Sequence, residues 1–323
     1  MKDWILEASR GGLCSVALLL NVACGGSTSI DSAPFSQSTG GSTASPRLAS
    51  WARVDWDEPL EEAAIYLWTG SPSNTWAVLS AGQGDGGAYY REHWDGMRLR
   101  RTVDERTAGE RFDAQQVWAA AGGDAFSGSG DGLQRWSGAA WADWAQTPAC
   151  SAIAGSAEDD VWCATADELW RWDGLRWTSA ALSGIHGILA NARDDVWVWG
   201  TQGASHFDGT RWSLELPGLV RSLSARDSSD VWAVQDGNVL HAPGPGAAWA
   251  RQNPTGSQIS AVWNESKDNT WIVGAGAAMR WDGSRWRALD LPARDELLFI
   301  SGSNQDVWIG GTLKLLHGRA AGK

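Results

Sequence analysis

One short pattern recurs seven times along this 323-residue chain, and nothing else in the sequence restricts its fold as strongly. The copies are NTWAV around Trp76, DAFSG around Phe126, DVWCA around Trp162, DVWVW around Trp197, DVWAV around Trp232, NTWIV around Trp271 and DVWIG around Trp308. Their aromatic residues stand 50, 36, 35, 35, 39 and 37 positions apart. A unit of that length holds four short strands and is too short to bury a core by itself, so the units must stack on one another.

The register of the second copy rests on a further landmark. Ten residues beyond the first aromatic comes a Trp-Asp-Gly-like turn, and five residues later another Trp, as in Trp162, Trp172, Trp177 and in Trp271, Trp281, Trp286. Phe126 fits this ruler with Trp136 and Trp141, whereas Trp118 falls eight residues earlier, in the slot held by Trp68 and Trp263. Trp118 therefore belongs to the preceding strand.

Each unit reads as strands a, b, c and d. Strand a is an apolar run such as AAIYLW, HGILA, QISAVW or LLFI, and strand b is the DVWAV element. Apolar or small residues flank the strand b aromatic on both sides, where a half-exposed strand would alternate, so this strand is expected to be covered on both faces. Asp-Gly at 95–96, 173–174, 208–209 and 282–283 suggests a tight c–d hairpin in which both residues tolerate positive φ. The seventh unit stops before its strand d, and LASWARVDW near the start has that form, with Trp51 matching Trp286. Residues 48–323 are thus expected to form an all-β, seven-bladed β-propeller closed by an N-terminal strand at about 48–56, which hides an edge that would otherwise pair with other chains. Most of the 24 Trp fall in repeated slots and read as packing between blades.

Residues 1–24 read as an export signal, with Lys2 and Arg10 ahead of the apolar run LCSVALLLNVA, which is too short for a membrane anchor. Cys24, preceded by LNVA and followed by GGS, resembles the lipobox cysteine of bacterial lipoproteins. That resemblance implies acylation of Cys24 and, because Gly25 follows it, an outer-membrane or cell-surface location. The alternative is a secreted protein cut near the same place. Residues 25–47, rich in Ser, Thr and Gly and almost without charge, read as a disordered tether.

The combined signature, DVW[AV]V followed by [RH][WF]DGxxW, resembles repeats of bacterial predicted lipoproteins and secreted propellers of kelch-like or two-component-regulator-like type. The resemblance spans about 48–318 and implies the fold but little biochemistry, since propellers host many functions.

Several residues could carry chemistry. An Asx stands two residues before each strand b aromatic: Asn74, Asp124, Asp160, Asp195, Asp230, Asn269 and Asp306. Seven such side chains could ring a set of calcium sites, but capping of the a–b turn by a side-chain to backbone bond is the expected role. His93, His206, His241 and His317 occupy a slot that other units fill with Arg135, Arg171 and Arg280, which argues against metal ligation because guanidinium offers no lone pair. His186 alone is off this slot. Cys150 and Cys163 are disulfide candidates in an exported chain, although pairing Ile153 with Cys163 would set Cys150 far from its partner.

A formal net charge of −12 disfavours nucleic acid or anionic lipid as a partner. The densely charged stretch 91–113 lies on the face of the b–c and d–a connections beside units 1 and 2, which marks that face as the better place for a site. No catalytic motif, metal set or cofactor loop stands out. The expected function is a non-enzymatic binding or scaffold module, monomeric, contacting a protein or glycan, and held to the membrane only by its lipid. The alternatives are a secreted lectin-like propeller using Trp144 or Trp56 to stack on sugars, and a propeller hydrolase or lyase.

Overall fold

The computed structural model describes residues 48–53, 62–71, 73–81, 88–102, 116–120, 123–129, 132–144, 147–252, 254–292, 296–303, 306–311 and 314–320. Cys24, Trp56, the leader and the segment 25–47 lie outside the described residues, as does 103–115 of the charged stretch.

Seven four-stranded antiparallel sheets follow one another around a ring. Blade 1 holds β2 (Glu62–Ser71), β3 (Asn74–Ala81), β4 (Ala88–Trp94) and β5 (Leu99–Arg101). Blade 2 holds β6 (Gln116–Ala119), β7 (Ala125–Ser129), β8 (Gly132–Trp136) and β9 (Trp141–Trp144). Blade 3 holds β10 (Ala152–Ala157), β11 (Asp160–Ala164), β12 (Leu169–Trp172) and β13 (Trp177–Ala180). Blade 4 holds β14 (Ile185–Ala192), β15 (Asp195–Gly200), β16 (Gly203–Phe207) and β17 (Trp212–Pro217). Blade 5 holds β18 (Val220–Ala225), β19 (Val231–Gln235), β20 (Asn238–Ala242) and β21 (Ala250–Gln252). Blade 6 holds β22 (Ile259–Ser266), β23 (Asn269–Gly274), β24 (Ala277–Trp281) and β25 (Trp286–Ala288). Blade 7 combines β26 (Leu297–Ser303), β27 (Asp306–Gly311) and β28 (Lys314–Ala320) with β1 (Leu48–Arg53) as its outer strand.

The repeat register holds at the atomic level. Trp118 lies opposite Phe126, as Trp68 lies opposite Trp76 and Trp263 opposite Trp271. The second strand of each blade is the buried one: all five residues of β11 and all six of β27 are buried, because a neighbouring blade covers each face. In blade 7, β1 runs antiparallel to β28, with Trp51 opposite Gly318. The Trp51 ring lies over that glycine so closely that an added Cβ would sit 2.8 Å from it, so Gly318 is what lets the indole settle on the sheet.

The c–d turn is a tight hairpin, but not one in which both Asp and Gly take positive φ. Trp172 pairs with Trp177 across four intervening residues, and the same loop recurs at Trp94/Leu99, Phe207/Trp212 and Trp281/Trp286. Only the glycine is left-handed, as at Gly174 with φ 92°, while the preceding Asp folds its carboxylate back: Oδ1 of Asp173 accepts the amide protons of Leu175 and Arg176, both at 2.9 Å. Asp95, Asp208 and Asp282 do the same. The Asp is therefore an Asx-turn residue and carries no backbone strain. A true two-residue Asp-Gly turn does occur, between β19 and β20, where Asp236 and Gly237 have φ of 51° and 71°.

Packing between blades explains why two landmarks travel together. The strand b indole of one blade meets the c and d aromatics of the next: Trp76 lies 5.8 Å from Trp136 and 5.3 Å from Trp141, and Trp162 lies 5.5 Å from Phe207 and 5.7 Å from Trp212. Trp232 meets Trp281 and Trp286 in the same way, at 6.5 and 5.7 Å. At the seam, Trp271 of blade 6 meets Trp51 of the N-terminal strand at 6.5 Å, and Trp308 of blade 7 meets Trp94 of blade 1 at 5.2 Å. Most contacts are edge-on, the arrangement that the ring quadrupole favours.

Candidate functional site

The sequence suggested that the seven Asx side chains cap the a–b turns; the structure gives them another role. Each reaches across to strand c and accepts a hydrogen bond from the His or Arg there. The partners are Asn74 with His93 (3.0 Å), Asp124 with Arg135 (2.9 Å), Asp160 with Arg171 (2.8 Å), Asp195 with His206 (2.9 Å) and Asp230 with His241 (2.7 Å). Asn269 with Arg280 and Asp306 with His317 complete the set.

The same His or Arg lies over the strand b aromatic of its own blade. His317 stacks on Trp308 at 4.0 Å and 13°, His241 on Trp232 at 4.2 Å and His93 on Trp76 at 4.4 Å, while His206 lies tilted against Trp197 at 4.7 Å. Arg171 covers Trp162 at 4.8 Å, and Arg280 covers Trp271 at 5.3 Å. This explains the interchange of His and Arg, since both offer a flat donor that spans an indole to reach an acceptor. Asx, His/Arg and aromatic form one structural unit per blade, in which the Asx and the His or Arg are bonded to one another. Among the described residues no cluster of three or more His, Cys, Asp or Glu is arranged to hold a metal.

The fold joins residues that read separately in the sequence. The spacing signal was available: Asx and its partner stand eleven residues apart in six blades, and nineteen in blade 1, where β3 and β4 are joined by a longer segment.

Asp230 is buried and accepts hydrogen bonds from three side chains. Burial by itself would raise its pKa, but donors from His241, Asn264 and Trp232 outweigh burial and hold the carboxyl below the usual carboxylate range. A depressed native pKa stabilises the fold above the unfolded value and loses that contribution as the pH falls through the native one. Asp230→Ala is expected to cost about 1–3 kcal/mol near neutral pH, the range for stranding buried partners. Denaturation followed as a function of pH should show the gap to wild type closing below about pH 3.9, the ordinary Asp value; a gap that persists unchanged in acid would contradict this role.

His186 sits at the start of β14, and burial, followed by the nearby Arg221 charge, pushes its pKa down. Its carbonyl accepts the Gln116 amide from blade 2 at 2.9 Å, and Gln116 Oε1 also accepts the amide proton of Ile153 in blade 3. Gln116 thus spends its amide on the free inner edges of two other blades. The structure does pair Ile153 with Cys163, but Cys150 is not held away by that register. The chain before Ala152 folds over β11, leaving Cys150 and Cys163 disulfide-bonded with a Cα–Cα distance of 5.6 Å. Both cysteines are buried.

Trp144 is not a free sugar-stacking platform. It lies 5.2 Å from Phe126 on one side and 5.5 and 5.7 Å from Trp172 and Trp177 on the other. Phe126 is the one strand b aromatic that is not Trp, and Trp144 fills the distance its smaller ring leaves to blade 3.

The two faces of the ring differ. Loops joining a to b and c to d are short: five of the six c–d loops joining consecutive strands span four residues, and the 243–249 loop of blade 5 bends over blade 4, where Trp249 donates its indole proton to the Glu215 carbonyl at 3.0 Å. Connections on the other face vary from 218–219 after β17 to 102–115 after β5.

No protein-family profile and no curated protein matches this sequence. Solved structures do. YCF48 bound to a D1 peptide superposes with a TM-score of 0.64 at 14% identity, covering 85% of this chain and 99% of that one. The extracellular domain of BT4673 from B. thetaiotaomicron gives 0.65 at 12% identity, covering 86% of this chain and 41% of that one. PorZ, a surface component of the type-IX secretion system of Porphyromonas gingivalis, gives 0.63 at 16% identity, with 82% and 48% covered. At these identities what is shared is the seven-bladed β-propeller fold.

Proposed function

We propose that this chain is a lipid-anchored envelope propeller that acts as a non-enzymatic binding or scaffold module for a protein partner. In this reading residues 1–24 direct export, Cys24 carries the acyl chains, 25–47 form the tether, and the propeller from residue 48 onward meets its partner at the outer membrane or cell surface. Two or more acyl chains anchor a protein stably, while one gives only marginal attachment.

The observation that carries the binding role is the contrast between the faces. In each blade the Asx binds the His or Arg, and five of the six c–d loops joining consecutive strands span four residues; on the other face the b–c turns are two residues long in five blades, but the d–a connections run from 218–219 to 102–115. Variation that the scaffold does not require, gathered on one face, is where recognition is built. The peptide held by the YCF48 propeller, together with the extracellular and surface settings of BT4673 and PorZ, supports an exported propeller with a protein ligand.

A photo-crosslinking amino acid placed in 102–115, in 145–151 or at the c–d turns of the native protein tests this in cells. A defined protein adduct from the first two positions and none from the turns is expected. Adducts only from the turns, or none while the protein binds a glycan array, would replace this reading with another. Metabolic labelling with a palmitate analogue should mark wild type and not Cys24→Ser; an unlabelled wild-type protein free in the medium would remove the anchor.

A further inference from the structure

The four Asp-Gly-x-Arg turns differ at the x position in a way that divides the ring. In blades 4 and 6 this residue is Thr210 or Ser284, and its hydroxyl turns inward to the Asp of its own turn at 2.6 and 2.7 Å. In blades 1 and 3 it is Met97 or Leu175, which cannot make that bond and is thrown outward, 81% and 88% exposed. The equivalent tip of blade 2 carries exposed Ala139. These are consecutive blades, and Met97 and Leu175 are the most exposed large apolar side chains among the described residues.

An arginine accompanies each apolar tip. Arg176 is 78% exposed beside Leu175, Arg98 follows Met97 and is exposed, and Arg100 adds a further guanidinium in blade 1. Oδ1 of Asp95 and of Asp173 folds back to accept backbone amides, while Oδ2 pairs with Arg100 at 3.3 Å in blade 1 and more loosely with Arg176 at 3.9 Å in blade 3, leaving guanidinium N–H groups open to solvent. What projects furthest from this arc is therefore apolar ends with guanidinium groups next to them.

The chain enters the ring on this same face. Leu48 pairs with Ala320 at the end of β28 that lies beside the a–b and c–d turns, and blade 1 follows directly after this closing blade. Cys24 precedes that point by 24 residues of sequence.

We propose that the c–d tips of blades 1 to 3 rest on the lipid bilayer, Met97 and Leu175 dipping into the headgroup region while Arg98, Arg100 and Arg176 bond lipid phosphodiesters. This rests on the anchor reading above. Separate protrusions on separate blades make poor walls for a protein groove but suit a fluid, flat surface, where each tip finds its own depth. Phosphodiester oxygens match the guanidinium donors. The net charge does not oppose such contact, because zwitterionic lipids supply phosphodiesters without net charge. The orientation turns the face with the variable d–a connections away from the membrane.

The test uses the full chain purified with its native acyl groups and reconstituted in vesicles of the zwitterionic lipids phosphatidylethanolamine and phosphatidylcholine with brominated acyl chains. An environment-sensitive dye is attached at Met97→Cys, at Leu175→Cys or, on the opposite face, at Ala166→Cys; buried Cys150 and Cys163 do not compete. A blue shift with quenching by the brominated chains is expected at 97 and 175 and not at 166. A palmitate-labelled, vesicle-bound protein whose dyes at 97 and 175 stay unquenched, or whose dye at 166 is quenched equally, overturns the orientation and leaves the tips to a protein partner. A protein that carries no label overturns the anchor and the orientation together.

Discussion

Removing residues 48–53 is expected to give a protein that aggregates or melts far below the wild type, a larger loss than any single substitution produces. Among the described residues these six pair with the outer edge of β28, and without them that edge presents free N–H and C=O groups to other molecules. The deletion also removes Trp51, which packs against Trp271 and so belongs to the contact between blades 6 and 7 as well as to the sheet. Closure in a propeller is cooperative in this sense: one strand completes a blade and an interface at once. Size-exclusion chromatography and thermal denaturation of the deletion protein decide the matter. A soluble monomer with an unchanged melting temperature would show that β1 is not what closes the ring.

The seam was legible because the missing strand d of the last unit and the surplus one near the start are both visible by eye, with Trp51 falling in the slot of Trp286. Blade number and the place of Phe126 were legible for the same reason: periodic spacing survives in one dimension. The roles of individual polar residues were not. Asp160 and Arg171 read separately as a turn cap and a blade-edge cation, and only the pairing of β11 with β12 puts Trp162 opposite Arg171 and brings the guanidinium to the carboxylate. The φ angles of the c–d turn were misread because Asp-Gly suits both a two-residue hairpin and a four-residue Asx loop, and the choice depends on which residues pair across it. Trp144 looked free because no repeated slot claims it; its partner is an absence elsewhere, the ring size lost at Phe126, which sequence periodicity does not express.

Trp197→Ala is expected to cost about 3–5 kcal/mol, the range for truncating a large buried aromatic. Its side chain is fully buried and packs with Val220, Leu223, Val231 and Ala233 of blade 5, so the cavity opens between two sheets rather than within one. Sheets joined through backbone ladders on either side have little freedom to collapse into that space, which places the cost toward the upper part of the range. His206 would lose the ring it leans on, at 4.7 Å, while keeping its bond to Asp195. Leu214→Ala, on the outer strand of the same blade and 57% exposed, should stay within about 0.5 kcal/mol, as surface substitutions do. Chemical denaturation of the two variants beside wild type measures both. Equal losses at the two positions would mean that the strand b indoles are not the bolts between blades, and a Trp197→Ala protein as stable as wild type would remove that role from the other strand b aromatics too.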